Sequence, residues 1–371
     1  MNSILFLSLM NSDVWGGSEE IWYKAALSLA KKKYNVSVGC FSWPGKENKI
    51  DELKRAGCTI YLLPGRHETR SLFGKLKLRT KLKAIQFKQF DHVIVNQGGW
   101  KDVAHGPFKA LWKKLPVYSL IFHNYNTVEK VSSEKLKLLS DWVNHAHANI
   151  GDATRIFSAL NEAYKVEFPR QYVLFNPITF SPPTNATPFP SLNNKIVLTS
   201  LAALDIERKA QDILIKTIAS DKWKKRNWKM NFYGRGKDEQ LLKDLIKENG
   251  LESKVTLHGH TSNVMQVLKD THLILQITRL DAMPISVVEA MAMARPVVVS
   301  DVGDMPLWVD ERTNGWIVKE VNAENIDKTL EKAWAEKERW EEMGSQSFNV
   351  FQKKYPSQPE LYFLKLTGII S

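Results

Sequence analysis

Residues 278–304, TRLDAMPISVVEAMAMARPVVVSDVGD, set two carboxylates, Asp281 and Glu289, around the start of a helix. An apolar strand ends near Ile277 and a loop carries Asp281 and Pro284. The apolar-periodic run from about residue 285 then reads as a helix, with Pro284 suited to its first turn. The free amides and the macrodipole of such a helix favour a phosphate at its start. One carboxylate stands on the loop and the other a turn inside the helix, where both accept hydrogen bonds from hydroxyls. A molecule with hydroxyls on either side of its phosphates is a nucleotide sugar. Three more positions suit that chemistry. Lys209 opens a helix after the first strand of the second half, where an ammonium beside free amides holds a diphosphate and offsets the charge of its departure. His123 lies just past the strand 117–122, at the end that faces the ligand crevice in a doubly wound sheet. Gly16 and Gly17 separate a strand from a helix and let backbone amides approach a phosphate or sugar. Read singly, the glycines also suit a plain turn, His123 a strand terminus and Lys209 a solvated surface.

Other chemistries lack their residues. The turn Gly234-Arg235-Gly236 resembles half of a dinucleotide fingerprint, but its third glycine position is Glu239, so no nicotinamide cofactor is expected. His145-x-His147 and His258-x-His260 have no further ligands at a recognisable spacing and read as structural. There is no Asp-x-Asp, no Walker lysine loop and no G-x-S-x-G elbow. The expectation is an enzyme with neither metal nor cofactor. Two cysteines, Cys40 and Cys58, build no disulfide framework, which suits a reducing compartment. The opening MNSILFLSLM has no basic flank and reads as a first strand, and no run of 18 apolar residues spans a membrane.

The charge is unevenly placed. Residues 1–180 hold 26 Lys and Arg against 15 Asp and Glu, a net of +11, whereas residues 181–371 hold 26 against 25. An anionic partner is therefore expected for the first half. Residues 66–88 concentrate the excess, with Lys75, Lys77, Arg79, Lys81 and Lys83 interleaved among Leu72, Phe73, Leu76, Leu78 and Leu82. Such a segment suits anionic lipid headgroups, or is simply a basic surface helix. No motif supports nucleic acid, which is not expected as a partner.

These residues need a frame. Runs apolar on both faces at 4–9, 36–40, 59–63, 92–96, 117–122 and 172–175 alternate with helical periodicity, as at 20–32 and 134–144. Five prolines in residues 176–194 break the pattern. It restarts with strands at 196–201, 228–233, 255–258, 273–277 and 297–300, and with helices at 211–218, 239–249, 264–269, 286–294 and 323–343. The fold class is α/β: two Rossmann-like, doubly wound parallel-sheet domains, expected to face each other across a cleft. Their bounds are 1–176 and 195–354, with 177–194 as linker and a terminal helix at about 355–371.

Taken together, the chain resembles the retaining glycosyltransferases of family 4, which have the GT-B fold. The resemblance rests on Gly16-Gly17-Ser18-Glu19, His123, Asn176-Pro177-Ile178, Lys209, the Gly234–Gly236 turn, and a Glu-x7-Glu segment matched by Thr278–Pro284, Glu289–Ala292 and Pro296–Val298. It implies that Glu289 binds the ribose hydroxyls and Lys209 the diphosphate of a UDP- or GDP-linked donor. Asp281, with the amides of Ala282, Met283 and Pro284, would hold the donor sugar. His123 and the Gly16-Gly17 loop would lie near the anomeric carbon, making His123, Lys209 and Asp281 the catalytic set. The terminal helix would cross back to the first domain. The family works without a metal and, on the front-face description, without a protein nucleophile. Departures are Asp281 in place of glutamate, Ala282 in place of glycine, and Ala203 where an arginine often stands, with Arg208 as its substitute. Gly303-Asp304 stands for a Gly-Gly, and Leu307 for an acid. The expected protein is a cytoplasmic glycosyltransferase held peripherally at the inner face of the membrane, acting on a glycan or lipid-linked glycan acceptor. The alternative is a catalytically degenerate relative that serves as a membrane-adsorbed binding subunit.

Overall fold

The computed structural model describes residues 2–10, 15–42, 45, 47–125, 127–193 and 195–371. Two compact units are present: residues 1–177 with 356–371, and residues 178–355.

The first unit is built on seven parallel strands, β1 (Ser3–Ser8), β2 (Asn35–Phe41), β3 (Thr59–Leu63), β4 (His92–Asn96), β5 (Val117–Phe122), β6 (Ala148–Gly151) and β7 (Gln171–Val173). They lie in the order β3-β2-β1-β4-β5-β6-β7. The second unit has six, β8 (Ile196–Leu201), β9 (Trp228–Tyr233), β10 (Val255–Leu257), β11 (Leu273–Gln276), β12 (Val297–Ser300) and β13 (Gly315–Val318), in the order β10-β9-β8-β11-β12-β13. The central strands β1, β4 and β12 are buried at every position, which is why their sequences run apolar without alternation. In each sheet the order reverses once, between β1 and β4 and between β8 and β11. Those are the points where a doubly wound sheet offers its carboxyl ends to a ligand.

The short strands β6 and β13 escape the sequence pattern, since four residues each carry too little periodicity. The helix expected over 323–343 ends at Ala335, and another runs over Trp340–Lys354. The break seats Trp340, whose fully buried ring donates its N–H to the Ala333 carbonyl at 2.9 Å.

Residues 178–193 count with the second unit, and Arg295 is what fastens them. Its guanidinium has no solvent exposure and donates to the carbonyls of Pro188, Leu268 and Lys269 at 2.8–3.1 Å, with a longer bond to Thr187. Full pairing of this kind is the condition for burying a charge. In the first unit, the helix Pro359–Leu366 packs on the helix Gly17–Lys31. Phe363 and Leu364 lie fully buried in the same core as Ile4, Phe6, Ile21 and Trp22.

Because Phe363 fills that core, Phe363→Ala is expected to destabilise the first unit by about 3–5 kcal/mol. Hydrogen-exchange mass spectrometry should show faster exchange in β1 and in Gly17–Lys31, with residues 196–201 unchanged.

Candidate functional site

At the reversal point of the second sheet, the loop after β8 and the loop after β11 meet. The one-turn helix Ile206–Lys209 ends at Ala210, whose φ of 48° is left-handed, and a new helix, Gln211–Ile218, starts beyond it. That break buries Lys209 and brings its ammonium onto Asp281 as a short ion pair. Backbone ties hold the two loops in register. The Arg208 carbonyl accepts from Arg279 N–H and from the Thr278 hydroxyl, both at 2.7 Å. The Asp281 carboxylate also accepts from the Ala282 amide at 3.0 Å. Arg208 itself points its side chain into solvent.

Pro284 caps the helix Ile285–Ala292, and Glu289 stands one turn inside it with 3% exposure. Its Oε1 accepts from the Thr179 amide at 2.8 Å and from the Thr179 hydroxyl at 2.5 Å. Burial raises the Glu289 pKa above the usual carboxylate range, and the two bonds from Thr179 oppose that rise.

The nearby glycines are required by backbone crowding. Gly303 has φ +54°, and a Cβ there would lie 1.8 Å from the Ala282 carbonyl oxygen. Gly234, at φ +150°, would put one 1.9 Å from the Ala202 oxygen. The Gly234–Gly236 turn therefore owes its glycines to packing against residues 202–204.

The first unit carries a line of buried polar groups along its carboxyl edge, in the order of its strands. Glu19 accepts from Asn96 Nδ2 at 3.2 Å, and Asn96 Oδ1 lies 2.7 Å from His123 Nε2. His123 Nδ1 lies 3.1 Å from Asp152 Oδ2, which also accepts from Asn176 Nδ2 at 3.0 Å. Since the Asn96 amide gives its N–H to Glu19, its oxygen faces the ring, and His123 Nε2 is the donor there. Both ring nitrogens are thus engaged within the unit. Burial also raises the Glu19 pKa, against a bond from the Ser18 hydroxyl. Gly16 caps the helix Gly17–Lys31, and a Cβ there would make only ordinary contacts, 3.8 Å from Ser18 Oγ and 4.0 Å from Glu19 Oε2. Residues 11–14 of that turn lie outside the described residues.

Residues 185–350 match the family described as glycosyl transferases group 1. The matched stretch lies within the second unit. Over 328 residues the chain is 24% identical to an uncharacterized glycosyltransferase of Haemophilus influenzae, covering 87% of this chain and 88% of that one. A shorter match, 27% identical over 128 residues, joins 34% of this chain to 26% of the poly(ribitol-phosphate) alpha-N-acetylglucosaminyltransferase of Staphylococcus aureus. Among solved structures, Anabaena HepE in complex with UDP and glucose superposes with a TM-score of 0.77 at 15% identity, over all of both chains. The fold is GT-B.

Inside the second unit, the structure brings together Lys209, Asp281 and the start of the helix bearing Glu289. Thr179, which no motif marks, joins them through Glu289. Asn96 and Asp152 escape sequence reasoning in the first unit, although both stand at the carboxyl end of a strand, the one signal that marks them. His145 stacks on Trp112 at 4.2 Å and His258 on Tyr233 at 4.5 Å. Each also bonds a neighbouring oxygen, in keeping with a structural role.

The helix Leu72–Ala84, capped by the Ser71 hydroxyl, turns Leu78 and Leu82 inward. Leu72, Phe73 and Leu76 stay 60–85% exposed. Lys77 pairs with Glu68 at 2.5 Å, while Lys75, Arg79, Lys81 and Lys83 are exposed and make no ion pair among the described residues. No helix among the described residues is long and apolar enough to cross a membrane.

Removing one member of the Lys209–Asp281 pair leaves a charge largely out of water. Asp281→Leu is expected to lower stability by about 3 kcal/mol, and adding Lys209→Met should restore most of the loss. Urea unfolding followed by tryptophan fluorescence checks both.

Proposed function

We propose that the protein is a glycosyltransferase that moves a sugar from a UDP- or GDP-linked donor to an envelope glycan or polysaccharide precursor, with retention of anomeric configuration and without a metal. The observation that carries this reading is the Lys209–Asp281 pair at the reversal point of the second sheet, beside the helix start that precedes Glu289. A bound diphosphate competes with Asp281 for the Lys209 ammonium. Asp281 is then released to accept from hydroxyls of the donor sugar, while the amides of Ala282–Pro284 lie at the helix start. Glu289 takes the ribose hydroxyls. In the front-face reaction the bond from the anomeric carbon to the diphosphate oxygen breaks, and the bond to the acceptor oxygen forms on the same face. The acceptor's proton passes to the departing diphosphate. Lys209 stabilises the charge that gathers there, so no protein nucleophile is needed.

The complex of Anabaena HepE with UDP and glucose supports a UDP-linked donor, and the Staphylococcus aureus relative, named for poly(ribitol-phosphate), supports a phosphate-bearing, anionic polymer as acceptor. The net +11 on residues 1–180 suits such an anionic acceptor or an anionic membrane. For the membrane, the helix Leu72–Ala84 supplies exposed apolar side chains beside unpaired cations, the combination that adsorbs to headgroups. This reading has the protein work at the inner face of the cytoplasmic membrane.

A thermal-shift panel of UDP-, GDP- and ADP-sugars should show stabilisation by at least one donor, and Glu289→Ala should abolish both that shift and the slow hydrolysis of the same donor. A wild-type protein that responds to none of them contradicts the reading. Replacing Lys75, Lys77, Lys81 and Lys83 with Gln should weaken binding to anionic liposomes at least tenfold with donor affinity unchanged. Equal liposome binding by both proteins removes the membrane role.

A further inference from the structure

Glu289 has two carboxylate oxygens in different circumstances. Oε1 carries both hydrogen bonds from Thr179, one from the backbone and one from the hydroxyl. Two donors occupy the acceptor directions of that oxygen. Oε2 receives no hydrogen bond among the described residues, and it is not among the buried polar atoms without a partner. A carboxylate on a helix otherwise rotates about its terminal torsion, which is broad and roughly two-fold. The paired donors from one residue fix that torsion and keep Oε2 outward. They also favour the ionised form in a place where burial opposes it.

Thr179 is itself held. It stands two residues past Pro177, the last residue of the first stretch of unit one. The preceding amide, that of Ile178, donates to the Tyr355 hydroxyl at 3.0 Å. The donor residue is therefore anchored on one side by its neighbour and on the other by Glu289, 110 residues away in sequence.

We infer that Thr179 is a positioning residue, fixing the Glu289 carboxylate so that Oε2 is presented to the ribose hydroxyls of the nucleotide. The inference rests on the reading of Glu289 as the ribose-binding carboxylate, and goes beyond it by naming what orients and sustains that group. The hydroxyl is the part a substitution can remove. Thr179→Val keeps the shape and the amide bond while deleting the second donor. Thr179→Ser keeps both donors.

The test is calorimetric titration of the full-length chain with UDP, with GDP, and with the UDP analogue that lacks both ribose hydroxyls, in wild type, Thr179→Val and Thr179→Ser. A weakening of about tenfold is expected for UDP with Thr179→Val, the scale of one lost hydrogen bond to a charged group. Thr179→Ser should stay within twofold of wild type. The dihydroxyl-deficient analogue should bind wild type and Thr179→Val alike, since the group being positioned then has nothing to hold. Equal losses for UDP and its analogue would mark a purely structural effect and overturn the inference, as would unchanged UDP affinity in Thr179→Val. Absence of binding of both UDP and GDP to wild type would overturn the nucleotide-sugar reading itself, and the inference with it.

Discussion

A lysine ammonium and an aspartate carboxylate, both largely withdrawn from water, must meet each other. Neither Lys209 nor Asp281 tolerates its position alone, since a desolvated charge without a partner costs several kcal/mol. Much of the local backbone follows from that requirement. Ala210 adopts a left-handed conformation that costs an alanine on the order of 1 kcal/mol, and in doing so ends one helix where Lys209 can turn inward. The Arg208 carbonyl gathers donors from residues 278 and 279, so that the loop bearing Asp281 cannot drift from the loop bearing Lys209. Gly303 then lets the next loop close over the Ala282 carbonyl.

The first unit solves a related problem by different means. Its reversal point is lined by groups that hydrogen-bond in a line, Glu19 to Asn96 to His123 to Asp152 to Asn176, each borrowed from the end of a different strand or the helix beside it. Such a line ties the ends of β4, β5 and β6 and the segment after β7 into one hydrogen-bonded edge. Directional hydrogen bonds of this kind favour one arrangement of the chain, where an apolar edge would tolerate several. The two sheets share a strand order at their centres, yet one presents a cation and a carboxylate and the other a line of hydrogen-bonded polar side chains.

Much of this was legible in sequence. Strands buried on both faces have no alternation to hide, so β1, β4 and β12 declare themselves, and the prolines of residues 176–194 announce a change of frame. Asp281 and Glu289 were readable because a strand, a loop and a helix start lie contiguously around them. What escaped depends on topology. The bond between Thr179 and Glu289 spans 110 residues, and nothing local to NPITF marks a partner there. Asn96 and Asp152 acquire meaning only once β4, β5 and β6 are neighbours. The glycines of residues 234–236 were readable as half of a fingerprint, but that a Cβ there would meet the backbone oxygens of Ala202 and Leu204 depends on the neighbouring loop. The basic stretch gave its charge plainly, but which leucines turn inward was settled by the packing of Leu78 and Leu82.

The helix Pro359–Leu366 completes the core that β1 begins. A ribosome makes these parts in the reverse of the order in which a unit-by-unit folding path would want them. Residues 1–177 leave the exit tunnel with a seven-stranded sheet but with the place of Phe363 and Leu364 still open to water. All of residues 178–355 must follow before the missing helix arrives. The second unit, continuous in sequence, is the one able to finish first. During synthesis the earlier unit therefore waits with part of its apolar core uncovered, the interval in which a nascent chain is most in need of a chaperone.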